Sequence, residues 1–305
     1  MVSSFLRRTG RTALTGLVLA VVMSSPAAAS PAARASTDPV HAVGAEAQYA
    51  NVIAQIGGPY VAVTAVMVNP STDPHSFEMS AAYAAKVAEA QLVVQNGLGY
   101  DGFMNALESA STNGDRHVIV ARRLLGYGAS AFDPHLWYDP RTMPLVARAV
   151  ASALEALRPS HAAYFRSSLV RFDHSLAPWR SAIAAFRLAH PHRRVAVSEP
   201  VADHLLRAMG LTIATPDIFQ SDFMNGLDPA PQAIALQQHL LTTRSVAVFC
   251  YNEQVMDALT ASLYGLARTS HVPIVGVSEI MPPTESYQAW MLATTNQLAK
   301  AVARA

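Results

Sequence analysis

The chain has 305 residues, 51% of them hydrophobic, with 22 Lys+Arg against 21 Asp+Glu and a single cysteine. That is apolar material for two domains of ordinary size, without the basic surplus a nucleic-acid partner requires. The lone Cys250 excludes an intrachain disulfide, so any metal site must be built from His, Asp and Glu.

Residues 1–35 are expected to be a secretory leader. Arg7, Arg8 and Arg11 form a positive n-region, and residues 13–23 are an apolar stretch too short to span a bilayer comfortably. Small-residue cleavage signals at Ala27-Ala28-Ala29 and Ala33-Arg34-Ala35 place the cut after Ala29 or Ala35. No cysteine stands near either to take a lipid, so a soluble periplasmic protein is expected. Cleavage after Ala35 removes four arginines and no acids, leaving 18 basic against 21 acidic groups, net −3. A mildly acidic surface suits a protein that captures a cation.

Past the leader, His41 heads an expected first strand and residues 61–68 form a β-branched second one. Helical spacing at 79–90, a strand at 92–94, a helix at 100–109 and a strand at 117–120 complete the first half. A helix at 142–157 follows. Residues 162–188 then place Phe165, Leu169, Phe172, Leu176, Trp179, Ile183 and Phe186 at helical intervals, reading as one long helix that Pro178 should kink or divide. Strands at 194–198, 211–213, 246–251 and 273–277, interleaved with helices at 201–209, 230–241, 253–267 and 286–303, repeat the rhythm in the second half. Alternation of this kind implies parallel sheets with helices on both faces. The expected organisation is an N-terminal α/β lobe at 36–158, a linking helix at 159–188 and a C-terminal α/β lobe at 189–305.

The most informative pattern occurs twice, sixty positions apart: Asp73-Pro74-His75-Ser76-Phe77-Glu78 and Asp133-Pro134-His135-Leu136-Trp137-Tyr138-Asp139-Pro140. In each, proline fixes its own φ and pushes the aspartate toward extended geometry, delivering the histidine from a stiff turn. One Asp-Pro-His is an ordinary turn. Two, each followed by an aromatic and an acid, point to imidazole ligands whose second ring nitrogens are held by neighbouring groups.

Ligands in open α/β sheets bind beyond the carboxyl ends of strands. His75 follows the strand at 61–68, Glu199 in Val197-Ser198-Glu199-Pro200 follows that at 194–198, and Glu279 in Val277-Ser278-Glu279-Ile280 follows that at 273–277. An acid there is also the residue a helix N-terminus favours, but the strand-end placement in both halves points to a shared cleft. With His135 these make the candidate metal set His75, His135, Glu199 and Glu279. Of the remaining histidines only His204, five residues past Glu199, is close enough in sequence to approach such a site.

Three words now carry a resemblance: the two Asp-Pro-His segments and Asn96-Gly97-Leu98-Gly99-Tyr100-Asp101-Gly102-Phe103-Met104 between them. From about Val40 to its end, the chain resembles the metal-binding solute-binding proteins of ABC uptake systems for zinc, manganese and iron(II), the cluster A-I type. Ser198-Glu199-Pro200-Val201, Tyr251-Asn252-Glu253-Gln254 and Glu279-Ile280-Met281-Pro282-Pro283 look like one branch of that family. The resemblance implies two doubly wound lobes joined by one long backbone helix, with limited closure. It implies a monomer that captures a divalent metal between the lobes and delivers it to a membrane permease driven by an ATPase. The family's first and second histidines fall on His75 and His135, its third ligand on Glu199 and its fourth, usually a carboxylate, on Glu279. Two departures stand out: the His-rich loop of many zinc-specific members is missing after residue 78, and Glu199 stands where many have a third histidine.

Two imidazoles and two carboxylates suit manganese(II) if a glutamate binds through both oxygens, and zinc(II) in four-coordinate geometry if each binds through one. Ligand type leans slightly to manganese, with iron(II) a further option. The rival reading is a periplasmic zinc hydrolase. It would need an open coordination position and a separate general base, and no H-E-x-x-H word is present.

Overall fold

The computed structural model describes residues 38–69, 80–111 and 113–305. The expected leader and His75 lie outside the described residues.

Among the described residues, eight strands form two sheets. The first contains β1 (Val40–Glu46), β2 (Val61–Met67), β3 (Leu92–Gln95) and β4 (His117–Val120) in the order β2-β1-β3-β4. The second contains β5 (Arg194–Val197), β6 (Thr212–Ile213), β7 (Val248–Asn252) and β8 (Ile274–Val277) in the order β6-β5-β7-β8. Every pairing is parallel: Val43 lies opposite Thr64 and Val93, and Val195 opposite Ile213 and Val248. The two halves therefore repeat one topology, with strand order reversing between β1 and β3 and again between β5 and β7. At such a reversal the loops diverge and leave a crevice at the carboxyl edge.

Successive strand residues point to opposite faces, and the core follows that alternation. Val40 and Ala42, Leu92 and Val94, Val195 and Val197, Val248 and Cys250, and Val275 and Val277 all enter one continuous core. Their neighbours face outward: Val43, Ala45 and Val93 into a cluster with Val87 and Met104, and Ala196 and Phe249 into one with Phe219, Leu240 and Leu263. Helices α1 (Ala47–Gly57), α5 (Thr142–Leu157), α6 (Ala162–Ser175), α7 (Ala177–Ala189) and α12 (Tyr287–Val302) supply the shared core. On the outer faces lie α2 (Ala81–Glu89) and α3 (Gly102–Ser109) in the first half. Their counterparts in the second are α9 (Asp217–Met224), α10 (Pro231–Thr242) and α11 (Ala258–Thr269). Each sheet is thus covered on both faces, as the α/β reading expects. Cys250 is a buried apolar residue of the inner face.

The long helix expected at 162–188 is two helices. α6 ends at Ser175, Leu176 turns with φ −81° and ψ −9°, and α7 begins at Ala177 with Pro178 in its first turn. Proline has no N–H for the carbonyl four residues back, but in a first turn that N–H has no partner anyway. Three further helices were not foreseen: α1, α9 and the single turn α4 (Ala121–Leu124). α1 carries the signal plainly, with Tyr49, Val52, Ile53 and Ile56 all buried at helical spacing. It follows β1 without a side-chain cap, so no punctuation marks its start. The helix expected from 253 starts instead at Ala258, because Asp257 caps it by accepting the Thr260 N–H at 2.7 Å.

Candidate metal centre

The carboxyl edges of the two sheets meet. His135 comes from the loop ahead of α5, and its turn is built from its own neighbours. Oδ1 of Asp133 accepts the His135 backbone N–H at 2.9 Å and lies 3.0 Å from ring Nδ1. An ionised carboxylate only accepts, so Nδ1 carries the proton and Nε2 is aimed the other way. Pro134 makes this possible: lacking an N–H, it leaves the aspartate to bond the residue two on. Its carbonyl is held by Asn96 Nδ2 at 2.7 Å, and Asn96 Oδ1 accepts the Tyr49 hydroxyl at 2.6 Å.

The Asn-Gly-Leu-Gly-Tyr-Asp word is the floor under that loop. Asp101 accepts the backbone N–H groups of Asn96 and Gly97, folding residues 96–101 into a tight turn. Gly97, Leu98 and Gly99 all have positive φ, at 85°, 59° and 83°. At Gly97 a Cβ would also sit 2.9 Å from Val120 Cγ1, so the position needs glycine on two counts. The turn brings the Tyr100 ring edge-on to His135, with centroids 5.8 Å apart, and to Trp137 at 4.9 Å.

Glu279 arrives from the other half, just past β8, and is fully buried. Its backbone N–H is accepted by Gln254, its carbonyl accepts Gln48 Nε2 at 3.2 Å, and its Oε1 accepts Asn252 Nδ2 at 2.6 Å. That leaves Oε2 facing His135, 3.4 Å from Nε2. Burial alone would pull the imidazole's pKa down. Hydrogen bonding to Asp133 and Glu279 outweighs it and pushes His135 up to about 10.

Glu199 is buried at the carboxyl end of β5, on the same edge of the second sheet as Glu279. Its turn is fixed by Ser198, whose N–H bonds the Cys250 carbonyl at 2.9 Å and whose hydroxyl accepts the Asn252 N–H at 3.1 Å. Of the four expected ligands, then, His135 and Glu279 face each other within 3.4 Å, Glu199 shares their edge, and His75 lies outside the described residues. Among the described residues no group of three or more His, Cys, Asp or Glu stands ready to hold a metal by itself. His204 does not reach the His135–Glu279 pair. Its Nε2 lies 3.3 Å from Oδ2 of Asp133, behind His135.

Sequence reasoning missed three residues here. Glu46 ends β1 fully buried, and its carboxyl is held well above the ordinary range by burial and by nearby Asp101. The strand-end rule that selected Glu199 and Glu279 selects Glu46 too, once β1 is placed. Asp203 is buried beside Arg207, which bonds it at 3.0 Å, and burial with Asp133 nearby pushes it up to about 8. Asn252, which holds Glu279, lies in the Tyr251-Asn252-Glu253-Gln254 word, but that resemblance gave it no role.

With this geometry in hand, comparison with known proteins gives a consistent picture. The family model described as "Zinc-uptake complex component A periplasmic" matches residues 43–301. The manganese-binding lipoprotein MntA of Bacillus subtilis is 27% identical over 135 residues, covering 42% of this chain and 44% of that protein. The chain spans about half the length of the curated relatives it matches. Among solved structures, the Mn-bound periplasmic metal binding protein of Candidatus Liberibacter asiaticus superposes with a TM-score of 0.69 at 16% identity, over 87% of this chain and 100% of that one. The solute-binding protein FpvC of Pseudomonas aeruginosa, in complex with Ni2+, gives 0.71 at 20% identity, over 88% and 98%. At these identities the solved structures establish the shared fold.

Proposed function

Since the chain belongs to the zinc-uptake complex component A periplasmic family, we propose that it captures a divalent transition metal between two lobes and delivers it to an ABC permease driven by an ATPase. The observation that carries this reading is the His135–Glu279 pair: an imidazole and a carboxylate from different halves, buried, 3.4 Å apart, each oriented from behind by its own half. A divalent ion replaces the proton between them. His75 and Glu199 complete the set, giving two nitrogen and two carboxylate ligands. The lobes are residues 36–158 and 189–305, with 159–188 between them.

The cargo is Mn(II) or Zn(II). A manganese-binding relative and Mn- and Ni-bound neighbours of the same fold support a site for this class of ion. A glutamate binding through both oxygens would favour manganese. The hydrolase alternative gains no support from the family or from these relatives. We place the protein outside the cytoplasmic membrane as a monomer carrying no lipid. No helix among the described residues is long and apolar enough to cross a bilayer.

The test is titration calorimetry with Mn2+ and Zn2+. His135→Ala should lower affinity by orders of magnitude, with the circular dichroism spectrum unchanged. Wild-type affinity in that variant would refute the assignment. Elemental analysis of protein purified from its own compartment identifies the cargo.

A further inference from the structure

We infer that His204 is a positioning residue for metal capture, reaching across from the second half to hold Asp133 and through it the ring of His135. The inference rests on the capture reading above. His204 lies on the short helix α8 (Asp203–Ala208), which follows Glu199, whereas Asp133 belongs to the loop that carries His135. The His204 Nε2 stands between two oxygens of one residue, 3.3 Å from Asp133 Oδ2 and 3.5 Å from the Asp133 carbonyl. The opposite oxygen, Oδ1, takes both the backbone N–H and ring Nδ1 of His135. Asp133 is 6% exposed and its Oδ2 makes no hydrogen bond among the described residues. The 3.3 Å separation from His204 Nε2 is therefore a close polar approach, and the hydrogen bond between the two residues is the 3.5 Å contact with the Asp133 carbonyl.

The chain of contacts is therefore His204 to Asp133 to His135 to Glu279, and it starts and ends in the second half. A partner behind a ligating imidazole fixes which nitrogen faces the metal and how the ring is turned. Removing such a partner typically costs about 10–100-fold in metal affinity. His204 acts one step further back, which puts its effect at the low end of that range. The Tyr127 ring packs beside His204, at 6.2 Å between centroids.

Calorimetric titration with Mn2+ and Zn2+ decides the matter in five variants, Asp133→Asn alone serving as the reference for the double change. His204→Leu removes the donor and should weaken both ions about tenfold. His204→Gln keeps an N–H at similar reach and should recover most of that loss. His204→Asn is too short to span the gap and should match leucine, which also covers the case that leucine does not fold. Added to Asp133→Asn, the leucine change should cost little more, because the two residues act through one contact. Leu and Asn variants with wild-type affinity, a Gln variant as weak as both, or additive losses with Asp133→Asn would overturn the inference and leave the capture reading standing. Wild-type protein that takes up neither ion would refute both.

Discussion

At His135, burial and two carboxylates contend for one proton, and the carboxylates win. The ordinary histidine pKa is near 6.5 and the folded one is about 10. In the absence of metal, this ring's interactions therefore contribute stability in full below about pH 6.5, and that contribution is lost as pH rises through about 10. On the capture reading proposed above, metal binding would run the opposite way, because the ion would have to displace the proton. Affinity should rise with pH across the neutral range, by about tenfold per pH unit for each proton released. Calorimetry at pH 7 in buffers of different ionisation heat should show at least one proton leaving per ion bound, and zero release would contradict the protonated ring. At Glu46 burial dominates instead: with nearby Asp101 it holds the carboxyl well above its ordinary range.

Among the elements, the junction of α6 and α7 shows how a local breaker and a tertiary anchor divide their work. Pro178 sits where its missing N–H costs nothing, so Pro178→Ala should change stability by less than about 1 kcal/mol. The adjacent Trp179 is buried, donates Nε1–H to Thr295 at 2.9 Å and meets the Tyr287 ring edge-on at 5.8 Å, tying α7 to α12. Trp179→Ala removes an aromatic from the shared core and should cost about 3–5 kcal/mol. Urea unfolding of the two variants checks both numbers, and equal losses would show that the proline, rather than the packing, holds the junction. The tight turn at 96–101 is a second such element: three positive φ angles in a row are tolerated because Asp101 ties off two backbone N–H groups.

Across the whole molecule the two halves are joined by more than the helices between them. Tyr287 donates its hydroxyl to the Trp137 carbonyl at 2.6 Å and Tyr138 to that of Ser278 at 2.8 Å, while Gln48 braces the 279–281 backbone. The apolar core runs through this seam without interruption. A shared core couples its parts, so thermal unfolding of the chain should be a single transition by both calorimetry and circular dichroism. Two resolved transitions would mean that the halves are independent. For the same reason metal binding should produce little compaction in small-angle scattering, and a large drop in radius of gyration would argue for hinge closure instead.

Much of this was legible in the chain. Periodicity locates most elements because strand and helix patterns depend on local sterics and on which side chains alternate. The repeated Asp-Pro-His word marks His135 because proline and aspartate shape their turn from sequence neighbours alone. Strand-end placement marks Glu199 and Glu279, since parallel sheets put their open crevices at carboxyl edges. What the chain could not disclose is who faces whom. The meeting of His135 with Glu279, 144 positions later, depends on two sheets sharing one core. The place of His204 behind Asp133, and the burial of Glu46 and Asp203, depend on it as well. Pairings at that sequence separation are set by the burial of whole helix and sheet faces, which no local pattern records.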